Sequence, residues 1–263
     1  MLDARQAAYL HALGVDVYVS RDAAVPADHS PAVPTARSQE PVSTTDAPWT
    51  VVEPVVLEPA PAAETTADAL DWPALRTAVA ACQRCELHQT RTQAVFGVGN
   101  PQARWMFIGE APGQEEDRQG EPFVGRAGQL LNAMIRALGM RREDVFIANV
   151  LKCRPPGNRD PRPAEAASCR RFLERQVELV DPTLVIAVGR IAAQDLLATE
   201  TPIAKLRGKV HAFGSRNWPL IVTYHLAFLL RSPAEKRKAW ADLLQARQLY
   251  TRLERERAGA GKA

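Results

Sequence analysis

The chain of 263 residues has no uninterrupted apolar run of about eighteen residues, the length that a bilayer-spanning helix needs. From Met1 to Val19 it carries Asp3, Arg5 and Asp16 where an export signal would have an apolar centre, so the cytoplasm is the expected compartment and no membrane is expected as a partner. There is no internal repeat, which excludes solenoids and propellers. Neither sign of charge dominates: 33 basic against 30 acidic residues leave a net +3, too little to argue for a nucleic-acid partner by itself. Cysteine is scarce too, with four in the whole chain. In a reducing compartment such thiols point to metal or catalysis before they point to bridges.

Those cysteines are the most informative residues present. Cys82 and Cys85 form one C-x2-C pair, Cys153 and Cys169 stand far downstream in an arginine-rich stretch, and none is left over. A closed site built from all four would tie two distant segments of one domain together, so a structural metal site is expected. Zinc and iron–sulfur both accept four thiolates. A zinc ribbon normally shows two C-x2-C knuckles, and the wide separation of Cys153 from Cys169 departs from that pattern.

Composition along the chain divides it into four parts. Residues 1–21 carry a short helical pattern through Leu10 and Leu13, stopped at Gly14 and followed by alternating Val15, Val17 and Val19. Residues 22–71 are rich in Pro, Ala, Thr, Ser, Glu and Val, with almost no large apolar side chains, and are expected to be a disordered linker. Residues 72–255 hold the folded domain, and 256–263 are expected to be a flexible tail. Asp71 and Pro73 mark a helix start leading into the cysteine pair. Then Trp105 to Gly109, Val145 to Val150, Leu184 to Val188 and Leu220 to Tyr224 form short, nearly all-apolar runs, the pattern of buried parallel strands. Helical stretches at Ala127 to Leu138, Pro163 to Val180 and Arg190 to Leu197 alternate with them, and a last helix runs from Pro233 to about Glu254. The predicted fold is α/β, a helix-flanked, mainly parallel four-stranded sheet.

In such sheets ligands bind outside the carboxyl ends of the strands. The first strand ends in Gly109-Glu110-Ala111-Pro112-Gly113 and runs on to Glu115-Glu116-Asp117, the second ends around Asn149, and the fourth ends at His225. A carboxylate cluster, an amide and an imidazole are therefore expected at one mouth of the sheet. Individually a strand-end Asn caps a turn, a lone His is merely hydrogen-bonded and an acidic run is a solvated loop; their coincidence at one edge is what points to function.

Cys82-x2-Cys85, GEAPGQEED (Gly109 to Asp117), EPFVGRAGQLL (Glu121 to Leu131), NVLKCRPPGNRDP (Asn149 to Pro161) and HLAFLLR (His225 to Arg231) together resemble the family 4 uracil-DNA glycosylases, over roughly residues 74–250. The resemblance implies a three-layer α/β/α fold, a [4Fe-4S] cluster on Cys82, Cys85, Cys153 and Cys169, and excision of uracil from DNA. It places Phe123 against the flipped base, Asn149 on its edge with Gly109 and Ala111 beside it, His225 by the leaving base, and Glu110 and Glu116 near the sugar, the water or the C5 edge. The residue chemistry agrees: an amide offers both the donor and the acceptor that uracil O4 and N3–H require, whereas cytosine reverses the pattern. The stiff, basic loop after Cys153, with Arg154 and Arg159, is expected to grip phosphate, and Leu229-Leu230-Arg231 to contact DNA as a wedge that fills the space of the flipped nucleotide.

Two departures enter the reading. Where the family continues after the histidine with proline and a small residue, this chain has Leu226-Ala227, which loosens the expected geometry of the Leu229-Leu230-Arg231 segment. No Lys-Arg-Arg-Ile-His insert lies between Asn149 and Cys169, the insert by which a related subgroup traps uracil-DNA covalently, so turnover is expected and a trapping or non-catalytic binder is the alternative. A redox protein using the cluster for electron transfer is a further rival. A monomer is expected. Finally, Leu10, Leu13, Gly14, Val15, Tyr18 and Arg21 are similar to the short peptide by which one subunit of the bacterial replication clamp loader binds another, so residues 1–21 are a candidate anchor to that machinery.

Overall fold

The computed structural model describes residues 69–260. The readings made for residues 1–21, for the linker as far as Asp68 and for 261–263 lie outside the described residues. Six strands form one sheet: β1 (Val98–Gly99), β2 (Trp105–Gly109), β3 (Phe146–Asn149), β4 (Leu184–Val188), β5 (Val210–Phe213) and β6 (Trp218–Thr223), in the order β1-β3-β2-β4-β6-β5. The four expected strands are its parallel centre. Two antiparallel edges, β1 on β3 and β5 on β6, were not anticipated. Both are short and partly exposed, so neither has the continuous apolar run that marks the central four.

The helices are α1 (Trp72–Ala80), α2 (Gln114–Gln119), α3 (Arg126–Ala137), α4 (Pro163–Val180), α5 (Arg190–Leu196), α6 (Ile203–Leu206), α7 (Leu226–Arg231) and α8 (Lys236–Ala260). Asp71 caps α1 as expected, its Oδ1 accepting from the Ala74 amide at 2.9 Å. The last helix runs beyond Glu254, through most of the expected tail, to Ala260. Among the described residues no helix is long and apolar enough to cross a membrane.

Strand parity sorts the core into two halves. Met106, Ile108, Phe146, Ala148, Val185, Ala187, Leu220 and Val222 face α1, α4 and α5, while Trp105, Phe107, Ile147, Leu184, Ile186 and Ile221 face α3, α7 and α8. The result is the expected three-layer α/β/α arrangement, and the same parity determines which strand-end residues can meet.

Candidate active site and thiol cluster

Gly109 and Asn149 are register partners at the ends of β2 and β3. Counting by twos from Phe107 and Ile147 places both on the α3 face; His225 follows two residues after β6 ends at Thr223. Asn149 is 2% exposed, yet its Oδ1 has no hydrogen-bond partner. Leaving such an acceptor unmade costs about 1–3 kcal/mol, so its presence marks a place kept for a ligand. Gly109 forms the wall beside it: a Cβ there would lie 2.5 Å from Asn149 Oδ1 and 2.5 Å from Phe123 Cζ.

The Phe123 ring sits 6.4 Å from the His225 ring, tilted by 40°. Its backbone has φ 54°, a left-handed conformation that a bulky side chain rarely adopts. Glu116 secures the segment behind it: Oε1 accepts from the amides of Val124 at 2.9 Å and Gly125 at 3.2 Å. That acidic loop does not act as one cluster. Glu115 bonds Arg118 on the surface, and Asp117 is buried, accepting the Thr92 amide with both oxygens at 3.0 Å. Only Glu110 and Glu116 remain at the mouth, which corrects the expectation of a convergent carboxylate cluster.

Glu110 follows Gly109 with the opposite parity, and its carboxyl is pushed up to about 7 by burial and by Asp160, against the pull of Arg190. Asp160 and Arg190 are themselves paired at 2.7 Å. Ala111, next in the chain, packs partly buried against the opposite core half.

His225 caps α7, its Nδ1 accepting from the Ala227 amide at 3.3 Å. With Nδ1 an acceptor, the ring proton of the neutral imidazole belongs on Nε2. Burial, reinforced by the Arg231 charge, holds the histidine below its ordinary pKa, with Glu116 opposing. The cap and the complete burial of Leu226 fix the residue where the expected proline is missing. Gly189, which the sequence reading missed, supports the ring from beneath: its φ is +103° and an added Cβ would lie 2.9 Å from the His225 Cβ.

Two residues expected to contact DNA have other partners in the free protein. Leu229 is 1% exposed and packs with Leu130, Met134 and Leu243, because the helical period of α7 turns it inward; the neighbouring Leu230 is partly exposed. Arg159 is committed to Glu165, donating from Nη1 at 2.9 Å and from Nη2 to the other oxygen, and this pair closes the start of α4. Arg154 binds Asn158 Oδ1 at 2.7 Å and bends the basic loop, while Arg231 is exposed at the end of α7.

The four cysteines are free thiols drawn from the α1 end, the loop after β3 and α4. Cys153 senses the charges of Cys85 and Cys82, and Cys169 those of Cys153 and Cys85. Burial raises both, Cys169 to about 11, so four thiolates here would need compensating charge. It is at hand: Arg91 Nη1 lies 3.0 Å from Cys153 Sγ, and Lys152, through its backbone amide and its charge, favours the thiolate of Cys169. Lys152 itself is 1% exposed, donating to the Asn149 carbonyl at 2.7 Å and to Gln176 Oε1 at 2.6 Å. One buried network thus joins the thiols to the strand bearing Asn149. Among the described residues no group of three or more His, Cys, Asp or Glu side chains is arranged to hold a metal ion. The all-thiol donor set with N–H donors beside it nonetheless fits iron–sulfur ligation.

Comparison with known proteins agrees with this geometry. Residues 96–244 match the family model described as the uracil DNA glycosylase superfamily. The chain is 44% identical over 177 residues to the type-4 uracil-DNA glycosylase of Archaeoglobus fulgidus, covering 65% of this chain and 89% of that one. It is 46% identical over 153 residues to the type-4 uracil-DNA glycosylase of Thermotoga maritima, covering 57% and 79% respectively. A type-5 uracil-DNA glycosylase of Thermus thermophilus is more distant, at 32% over 157 residues. The matched span runs from ahead of β1 into α8 and takes in every strand of the sheet, and on that basis the chain belongs to the uracil DNA glycosylase superfamily, in its type-4 family.

Proposed function

We propose that this protein removes uracil from DNA by hydrolysing its N-glycosidic bond, leaving an abasic site for repair. The observation that carries the reading is the buried, unpartnered Oδ1 of Asn149 against Gly109 and Phe123 at the mouth of the sheet. A flipped uracil stacked on Phe123 would give its N3–H to that oxygen and take a bond at O4 from the same amide. Cytosine presents the reverse pattern and would leave buried groups unpaired.

As the bond from C1′ to N1 breaks, the electron pair leaves with the base. His225 Nε2–H supplies the donor for the anion at O2, and a neutral imidazole suits that task. Water adds to C1′, with one proton released to balance the uracil anion. Glu110, with its carboxyl near 7, and Glu116, beside the segment bearing Phe123, are the carboxylates available to position that water or to crowd the C5 methyl of thymine.

Cys82, Cys85, Cys153 and Cys169 would hold a [4Fe-4S] cluster whose role is to brace the loop after β3. Cys153 stands four residues beyond Asn149, at most about 14 Å of chain, so bracing that loop also restrains the base-reading strand. Arg154 and Arg231 are the arginines left to meet DNA phosphates, with Leu230 in place of Leu229 at the exposed side of α7. The N-terminal peptide as a clamp-loader anchor, the monomeric state and a cytoplasmic, nucleoid-associated location complete the proposal.

The test is multiple-turnover release of free uracil from a uracil-containing oligonucleotide by anaerobically handled protein. Release that is absent from a thymine strand and lost in Asn149→Ala supports the reading. Binding without release would favour a trapping or non-catalytic binder instead.

A further inference from the structure

The segment Pro122–Gly125 presents Phe123 in a backbone conformation that non-glycine residues rarely adopt, and such a conformation persists only where its surroundings over-determine it. Three contacts do so. Glu116 takes the amides of Val124 and Gly125. Gly128, in the first turn of α3, lets that helix rest on the Phe123 carbonyl, where a Cβ would lie 1.7 Å from the oxygen. The third is Arg142: Nη2 donates to the Pro122 carbonyl at 2.5 Å, and Nη1 donates to Asn132 Oδ1 on α3 at 3.0 Å.

Arg142 comes from the short turn Arg142–Asp144 that leads into β3, the strand ending in Asn149. One guanidinium therefore joins the aromatic segment, the helix beneath it and the base-reading strand. Burial works against its charge, with Glu121 and Glu116 opposing that penalty. The adjacent Arg141 has no such connections: its side chain is 71% exposed and pairs only with Glu143 and Asp144. A partly buried charge spent on one main-chain carbonyl and one amide is a costly way to fill space, but an effective way to hold a planar ring at a set angle.

We propose that Arg142 is a positioning residue for base binding, acting through Phe123, so that the slot between the ring and the Gly109–Asn149 wall is formed before DNA arrives. The inference rests on the glycosylase reading and adds the residue that preorganises its base slot.

The test uses the full chain with its cluster and reads inhibition by free uracil, which occupies the slot without DNA, beside uracil release and thermal melting. Arg142→Met is expected to raise the inhibition constant roughly tenfold, the scale of a lost charge-assisted hydrogen bond, with Arg141→Met unchanged. In a Phe123→Ala background Arg142→Met should shift that constant by less than about twofold, since the ring it positions is gone. Melting should fall equally in both backgrounds. An equal loss of uracil affinity in both backgrounds, or none in either, would overturn the proposal. If Arg142→Met does not fold, Asn132→Ala removes the other acceptor of the same guanidinium; the same dependence on Phe123 is expected, and its absence would be equally decisive. A wild-type chain that neither releases uracil nor is inhibited by it would overturn the glycosylase reading and this proposal together, whereas an active wild type with an indifferent Arg142→Met overturns this one alone.

Discussion

Replacing Gly109 with alanine adds one methyl group at the narrowest point of the site. Gly109 ends a strand and its backbone is open to any residue, so the effect comes from contact and not from φ. The new Cβ would lie 2.5 Å from Asn149 Oδ1, 2.5 Å from Phe123 Cζ and 2.8 Å from Phe123 Cε2, distances at which something must move. Neither neighbour can yield cheaply. The Phe123 segment is held by Glu116 and Arg142, and the strand bearing Asn149 by Lys152. Overpacking of this kind costs about 1–3 kcal/mol, and a domain of this size loses about 2–4 °C of melting temperature per kcal/mol. The functional loss should be larger than the stability loss, because the methyl group narrows the slot where uracil would stack. A 1 Å displacement of a positioned group is worth about a hundredfold in rate. Single-turnover uracil release should therefore fall by at least that factor while the protein still melts cooperatively. Release within twofold of wild type would mean that the base does not lie against Gly109, and the assignment of the slot would be wrong.

Asn149→Ala should abolish uracil release yet leave the melting temperature unchanged or raised, since it deletes a buried oxygen that has no partner in the free protein; calorimetry beside uracil release checks both halves. For Glu110 the folded pKa, about 7, lies above the ordinary value of 4.5, so the folded state holds the proton more tightly. Its contribution to stability is present below pH 4.5 and is lost as pH rises through about 7, and a carboxylate needed for water positioning would make the rate rise around pH 7, where the folded group ionises. Both trends should flatten in Glu110→Gln, which a pH series of melts and rates would reveal. Leu229→Ala should cost about 2–5 kcal/mol as a core truncation, whereas Leu230→Ala should leave stability nearly intact and weaken DNA binding; the reverse outcome in denaturant titrations would restore Leu229 as the wedge. Cys169→Ser should abolish iron binding and lower the melting temperature, and iron analysis of the purified variant is the check.

Much of this protein is legible in order along the chain. A central strand is a run of consecutive apolar residues, a helix is a period within a dozen neighbours, and Asp71 caps the turn that immediately follows it; each depends on residues close in sequence, and each appears where expected. The strand ends carrying Gly109, Asn149 and His225 follow from those runs, and the motifs around them were sufficient to identify the family. The rest required the third dimension. Parity brought Gly109 and Asn149 to one face and turned Glu110 the other way, while the turn after β6 set His225 beside Phe123. The inward turn of Leu229 depends on α3 packing against α7, and the commitment of Arg159 to Glu165 on the start of α4. Gly189 under His225, and Arg142 reaching from the approach to β3 to Pro122, join segments with no shared local pattern. Such contacts leave no periodic trace, because a side chain's partner across the core is decided by how whole elements pack and not by its neighbours in the chain.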